Sequence, residues 1–303
     1  MHLEEGAVMA ARGEVELVGH VLRRCLQVHN AVWAEEVGGI LTSPQYSVVH
    51  SVAAAQSAGG GLLDQHSVGL AAGLDRSTVA GVIRRLEQQG WLRRERDPRD
   101  ARRRVIGLPA PSEVALLGLA PAVLAVQERI LAPLPAEARG WLRDALVQLT
   151  PAVTPAVAPA VAPEAATARD LRPGHLIRLA QQRHTALWAE ELGARLTGPQ
   201  YAVLRVLAAA GPSHQSIVAE RAALDRSSTS EVLRRLEERG WTGRRPEPED
   251  RRTRLVSLTD AGRTLVDSVS GPVERVQRRI LEPVPPGDRR RLVEVLAVVA
   301  QGV

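Results

Sequence analysis

Apolar positions first fall at helical spacing in residues 14–37, at Val18, Val21, Leu22, Leu26 and Val28, and Gly38-Gly39 stop the run. Ser43-Pro44 then places a capping hydroxyl and an N-terminal proline ahead of Tyr46, Val48, Val49 and Val52, which predicts a second helix with Ser43 as its N-cap. A short third helix is expected over 63–72, ended by Gly73. A fourth is capped by Asp75 or Ser77, carries the apolar stripe Val79, Val82, Ile83 and Leu86, and stops at Gly90. Residues 91–96 and 103–108 flank Asp97-Pro98-Arg99-Asp100 and read as two short strands joined by an arginine-rich turn. Apolar stretches at 113–131 and 136–149, separated by Pro133 and Pro135, predict two terminal helices.

This whole pattern occurs twice. WAEEVGGILTSPQY at 33–46 returns as WAEELGARLTGPQY at 188–201, and LDRSTVAGVIRRLEQQGW at 74–91 returns as LDRSSTSEVLRRLEERGW at 224–241. Copy 1 is five residues longer between these blocks, an insertion placed most simply in the Gly59-Gly60-Gly61 loop. Copy 2 repeats the order, with its hairpin at 241–258 and terminal helices at about 260–281 and 286–300. Between the copies, residues 151–170 carry a proline at about every fourth position. An extended chain of that kind spans up to roughly 60 Å at about 3.1 Å per residue. The expected organisation is therefore copy 1 at 1–150, a Pro/Ala-rich linker at 151–170 and copy 2 at 171–303.

Composition narrows the fold class. The chain has 303 residues, no Phe and 2% aromatics, and its apolar supply of Leu, Val and Ala suits packed helices. One cysteine, Cys25, with Ala180 at the matching place in copy 2, excludes a disulfide framework or a Cys-based zinc site within one chain. The sequence shows neither a signal peptide nor a membrane span, and a cytoplasmic protein is expected. Every basic residue is Arg. Residues 75–105 are net +5 and residues 225–255 net +2, so positive charge is concentrated in one segment of each copy, as a phosphate-binding surface requires.

Three helices, the last with a polar outer face, followed by a basic hairpin form a winged helix-turn-helix. That last helix, the fourth of the chain, fits a major groove, and the hairpin reaches the adjacent backbone or minor groove. The segments LTSPQYSVV, LDRSTVAGVIRRLEQQGWLRRERDPRDARRRV, LTGPQYAVL and LDRSSTSEVLRRLEERGWTGRRPEPEDRRTRLVSLTDAGRTLV resemble the MarR family of bacterial transcription regulators. The resemblance covers roughly 15–149 and 172–300. It implies a mainly α fold with small β-wings and two tandem winged domains. The family works as a homodimer with interlocking terminal helices, so the fusion is expected to fold as an intramolecular pseudo-dimer, a single chain acting alone on double-stranded DNA.

Carried over residue by residue, Ser77, Thr78, Arg84 and Arg85 in copy 1 and Ser227, Ser228, Arg234 and Arg235 in copy 2 belong to the recognition helices. Arg99 and Arg102 in copy 1, and Arg252 in copy 2, are wing arginines; the alternative for any one of them is an ion pair with a wing carboxylate. Copy 2 has Glu231 where copy 1 has Gly81, and that carboxylate could accept from a cytosine amino group or repel phosphate. Copy 1 has LPAPS at 108–112 in place of the LT-x-A-G element, which is expected to change how its wing joins the next helix.

The family's small ligands bind beside the first helix, which makes His20, His29 and Trp33, with His175, His184 and Trp188, candidates for an effector pocket. The plainer alternative is a core helix with a packed tryptophan and interfacial histidines. A zinc site from His20, His29, His50 and His66 matches no ligand spacing, and no cofactor or metal is expected. No catalytic motif occurs, so an enzyme is not expected. Two functions stay open: a DNA-binding regulator, a repressor released by a small ligand at an asymmetric or pseudo-palindromic operator, or a ligand- or protein-binding module in which one or both winged domains no longer read DNA.

Overall fold

The computed structural model describes residues 17–57, 62–97, 100, 102–150, 172–246 and 254–302; the Gly59–Gly61 insertion and the 151–170 linker lie outside them. The chain divides into two compact units whose boundary does not follow the repeat. Arg24–His184 joins Leu281–Val303 in a copy 1 unit, and Met1–Arg23 joins Thr185–Ile280 in a copy 2 unit.

In the copy 1 unit, helix α1 (Val18–Glu36, from Arg24 on) leads through a single 3-10 turn into α2 (Ser43–Ser57), α3 (Gln65–Ala72) and α4 (Arg76–Gln88). Strands β1 (Arg93–Arg96) and β2 (Arg104–Gly107) pair antiparallel, Arg93 opposite Gly107, and Leu63 bridges to Ile106 on the hairpin's other side. Helices α5 (Ala110–Gly118), α6 (Ala120–Leu131) and α7 (Ala136–Gln148) follow. The expected single helix over 113–131 is thus two. Pro121 stands in the first turn of α6, where it needs no backbone donor, and the chain turns at Leu119.

The cap of α2 also differs from expectation. Thr42, not Ser43, is the capping residue: its N–H donates to Gln45 Oε1 at 2.8 Å, and the Gln45 N–H returns a weaker bond to Thr42 Oγ1. Ser43 therefore lies inside the first turn with its hydroxyl free for another partner. Copy 2 closes the same box between Thr197 and Gln200. Asp75 caps α4, accepting the N–H groups of Ser77 and Thr78. Val79, Ile83 and Leu86 of α4 are buried in one core with Val48, Val49 and Val52 of α2 and Val123, Val126 and Ile130 of α6.

Copy 2 supplies the rest of this unit. The first part of α8 (Pro173–Leu192) and all of α14 (Arg289–Ala300) belong to it, and α14 packs on α7. Gly174 N–H donates to Gln127 Oε1 at 3.1 Å, the Arg183 guanidinium to Leu149 O at 2.6 Å, and the Cys25 thiol to Leu296 O at 3.2 Å. A Cβ on Gly174 would sit 2.3 Å from the His29 ring, so only glycine allows that approach.

The copy 2 unit holds the remainder of α8, then α9 (Gly198–Ala210), α10 (Gln215–Ala222), α11 (Arg226–Glu238), β3 (Thr242–Pro246), β4 (Arg254–Leu258), α12 (Asp260–Ser268) and α13 (Ser270–Leu281, to Ile280). Its foreign segment is residues 17–23: Val18 N–H donates to Gln277 Oε1 at 2.9 Å, so Gln277 is engaged as its counterpart Gln127 is, one residue earlier along the partner helix.

The wing-to-helix junction shows why the two copies spell it differently. Thr259 donates to Gly240 O and accepts the Gly262 N–H, while a Cβ on Gly262 would lie 2.1 Å from Trp241 O. Copy 1 has Ser112 at the glycine position, and its hydroxyl, donating to Gly90 O at 3.2 Å, replaces the threonine bond. The expected difference at this junction is one of partners; both junctions tie the turn after the recognition helix to the next helix.

Candidate DNA-reading surfaces and effector pocket

Burying Val79, Ile83 and Leu86 turns Arg84 and Arg85 outward, and both are exposed. Ser77 and Thr78 also lie on the surface, but their hydroxyls donate to Asp75, whose carboxyl is held well below its ordinary range by those bonds. They keep lone pairs to offer a base and have no spare proton for a phosphate. Among the described residues, neither Arg84 nor Arg85 has an ion-pair partner.

In copy 2, Thr229, Leu233 and Leu236 are the buried stripe of α11, and Ser227 and Ser228 bond to Asp225 as their counterparts do to Asp75. The arginines differ. Glu231 accepts from Arg234 Nε at 3.0 Å, Arg234 Nη2 at 2.7 Å and Arg235 Nε at 2.7 Å, and Arg234 also pairs with Glu238. Chiefly through Arg234, these bonds hold the Glu231 carboxyl at about 2.

The wing arginines of copy 1 divide in two. Arg103 is tied to Asp64 at 2.9 Å and to Asp97, Arg94 to Glu87 at 2.8 Å, and Arg93 to Glu95. Arg102 is exposed; its backbone N–H is fixed by Asp100 Oδ1 at 3.0 Å and its guanidinium has no carboxylate partner among the described residues. Arg99 and Arg252 lie outside the described residues.

The structure brings three of the six pocket candidates together in the copy 1 unit. His29 and Trp33 stack at 5.7 Å between centroids, Trp33 meets Tyr46 at 5.2 Å, and the Trp33 Nε1–H is satisfied by Leu41 O at 2.8 Å. From copy 2, His175 enters the same site with two groups the sequence reading did not single out, Arg172 and Arg178. Arg172 donates to the Tyr46 hydroxyl at 2.7 Å, and Arg178 to the hydroxyls of Ser43 and Ser47. Arg178 is 8% exposed, and both of these hydroxyl acceptors are neutral. Burial lowers its pKa to about 10, which leaves it a cation at neutral pH. Burial first, and the Arg178 charge second, push His29 down to about 4 and His175 to about 3, so both rings are neutral. Next to Ser43 opens a cavity of about 420 Å³ lined by Asn30, Trp33, Leu41 and Thr42. Arg178 does not line this cavity but donates to Ser43, which does; among the described residues this buried guanidinium has no carboxylate partner, so its charge favours an anion.

The other three candidates are not gathered in one unit. His20 and Trp188 fall in the copy 2 unit, where Trp188 meets Tyr201 at 5.4 Å, while His184 is buried in the copy 1 unit. Copy 2 carries Gly198 and Ala202 where copy 1 has Ser43 and Ser47, and the buried Nη1 of Arg23, the counterpart of Arg178, has no acceptor among the described residues. Arg172 has Leu17 as its counterpart. Among the described residues, no group of three His, Cys, Asp or Glu side chains could hold a metal ion, and no single helix is long and apolar enough to cross a membrane.

The MarR family description matches residues 41–103 and 196–253, one match in each repeat. The HTH-type transcriptional repressor NicR of Pseudomonas putida is 31% identical over 124 residues, 41% of this chain and 78% of that protein. The transcriptional regulator HosA of Escherichia coli is 36% identical over 118 residues, 39% of this chain and 83% of HosA. The chain belongs to the MarR family. Among solved structures, the PcaV transcriptional regulator from Streptomyces coelicolor, in complex with its natural ligand, is 35% identical, covers 45% of this chain and 97% of its own, and superposes with a TM-score of 0.42. NicR and HosA each match less than half of the present chain, as one repeat of a tandem would.

Proposed function

We propose that this MarR-family chain is a DNA-binding transcriptional repressor that works as a single-chain pseudo-dimer and is released from its operator by a small organic anion. The observation that carries the DNA reading is the shared build of α4 and α11. Each buries one stripe, turns paired arginines outward and is followed by an arginine-bearing hairpin. Repression is supported by the likeness to NicR, a transcriptional repressor. The pseudo-dimer is supported by the exchange of terminal segments, since each unit takes helical residues from the other repeat.

The effector route follows from where the arginines land. Arg178 and Arg172 hold Ser43, Tyr46 and Ser47 of α2, and α2 packs directly on α3 and α4. An anionic ligand drawing either guanidinium away releases the start of α2, and the recognition helix behind it shifts. Selection of bound duplexes from a random DNA pool, followed by mass measurement of the complex, tests the reading. One chain on one duplex is expected. Two chains on a minimal duplex, or no selected sequence, would overturn it.

A further inference from the structure

The two recognition helices are internal controls for each other, and their arginines are in opposite electrostatic states. Over thirteen residues each, α4 has three arginines and one glutamate, whereas α11 has three arginines and three glutamates. Glu87 and Glu237 are common to both copies, and each is taken by a wing arginine, Arg94 and Arg244, at 2.8 and 2.7 Å. The difference is therefore Glu231 and Glu238, which stand where copy 1 has Gly81 and Gln88.

Resting on the DNA-binding reading above, we propose that the copy 1 helix alone brings a free arginine pair to the operator: Glu231 and Glu238 occupy Arg234 and Arg235, so the copy 2 helix offers DNA no free cation at those positions. Both carboxylate oxygens are engaged. Glu231 Oε2 takes Arg234 Nε, Oε1 takes Arg234 Nη2 and Arg235 Nε, and Arg234 Nη1 goes to Glu238. A single exposed pair is weak and a phosphate could displace it. Here the displaced group is a carboxylate on the same helix face as the arginines, and like any exposed glutamate it is ionised at neutral pH. A phosphate brought to Arg234 must approach that charge. The same occupancy leaves Glu231 one open lone pair, on Oε2, so its main part on this face is to hold the two arginines. The arginine contacts of the recognition helices then fall on one half-site.

The test is fluorescence anisotropy of the full chain on a duplex selected by that chain, at several salt concentrations. The paired variant Arg84→Ala/Arg85→Ala should lose at least tenfold in affinity and flatten the salt slope by about two, near 0.9 for each phosphate contact. Arg234→Ala/Arg235→Ala should change affinity less than twofold. Glu231→Gln should raise affinity several-fold and steepen the slope. The reciprocal change Gly81→Glu enters open space, with nothing within 4 Å of the new Cβ, and should lower affinity toward that of an inactive helix without harming the fold. Equal losses from the two paired variants, or a loss on Glu231→Gln, overturn this inference while leaving the regulator reading intact. Failure of the wild-type chain to select any duplex overturns both.

Discussion

Arg172 reaches across the repeat boundary to donate to the Tyr46 hydroxyl at 2.7 Å, a pair separated by 126 positions in the sequence. Burial pushes the Tyr46 phenol up against the pull of that guanidinium, so the hydroxyl stays protonated and accepts. Copy 1 has no equivalent to offer in return, because Leu17 stands in the matching place. Arg172→Leu should therefore weaken binding of an aromatic carboxylate such as benzoate by about 1–3 kcal/mol, as for a hydrogen bond to a charged group. Titration calorimetry with benzoate measures this, and Leu17→Ala, as a control, should leave that affinity unchanged.

Acid should destabilise the copy 1 unit before it protonates surface carboxylates. His29 is 2% exposed, and its pKa falls to about 4 from an ordinary 6.5, through burial first and Arg178 second. The unfolded chain binds that proton more readily than the folded one. The stabilisation is thus full above about pH 6.5 and is lost as pH falls through the folded value, for about 3 kcal/mol at this group. Urea midpoints at pH 7 and pH 5 should differ accordingly, and His29→Asn should remove part of the difference.

The turn before each recognition helix is left-handed, at Gly73 with φ +65 and at Ala223 with φ +53. A side chain in that conformation costs about 1–2 kcal/mol, and glycine returns part of it as lost chain entropy. Ala223→Gly should stabilise the copy 2 unit by about 0.5 kcal/mol. The reverse change, Gly73→Ala, adds a steric conflict, since its Cβ would stand 2.6 Å from Leu179 Cδ2, and should cost about 1–3 kcal/mol. Chemical denaturation of the two variants should show opposite signs.

Arg102 and Arg103 are neighbours in the same wing with different tasks. Arg102→Ala should weaken DNA binding by about 1–3 kcal/mol if it enters a groove, with no change in melting temperature. Arg103→Ala breaks the tie to Asp64, the cap of α3, and should lower thermal stability with a smaller effect on affinity. Anisotropy and calorimetric melting on both variants separate the two roles.

The fold was legible where local rules act alone. Asp75 and Gly73 mark the ends of their helices by capping chemistry, and the hairpin follows from its turn. Ser43 misled, because serine before proline reads as a cap, whereas Thr42 with Gln45 forms the box and frees the serine hydroxyl for Arg178. Arg178 itself was visible as the repeat partner of Arg23, three places after a histidine on one helix. Nothing local says that it is buried, since its partners lie 131 and 135 positions away. The ties of Glu231 to Arg234 and Arg235 follow i, i+3 and i, i+4 spacing and could have been read directly.

The exchange of terminal segments also governs the order in which the protein can be made. Cys25 finds its acceptor in Leu296, 271 positions later, and α7 finds its packing neighbour in α14. A ribosome that has finished the first repeat has produced a winged region whose helices still lack their covering. That surface stays open through synthesis of the second repeat, and contacts of such sequence separation form slowly. Each unit is completed only by residues of the other repeat, so the copy 1 unit stays open until α14 emerges.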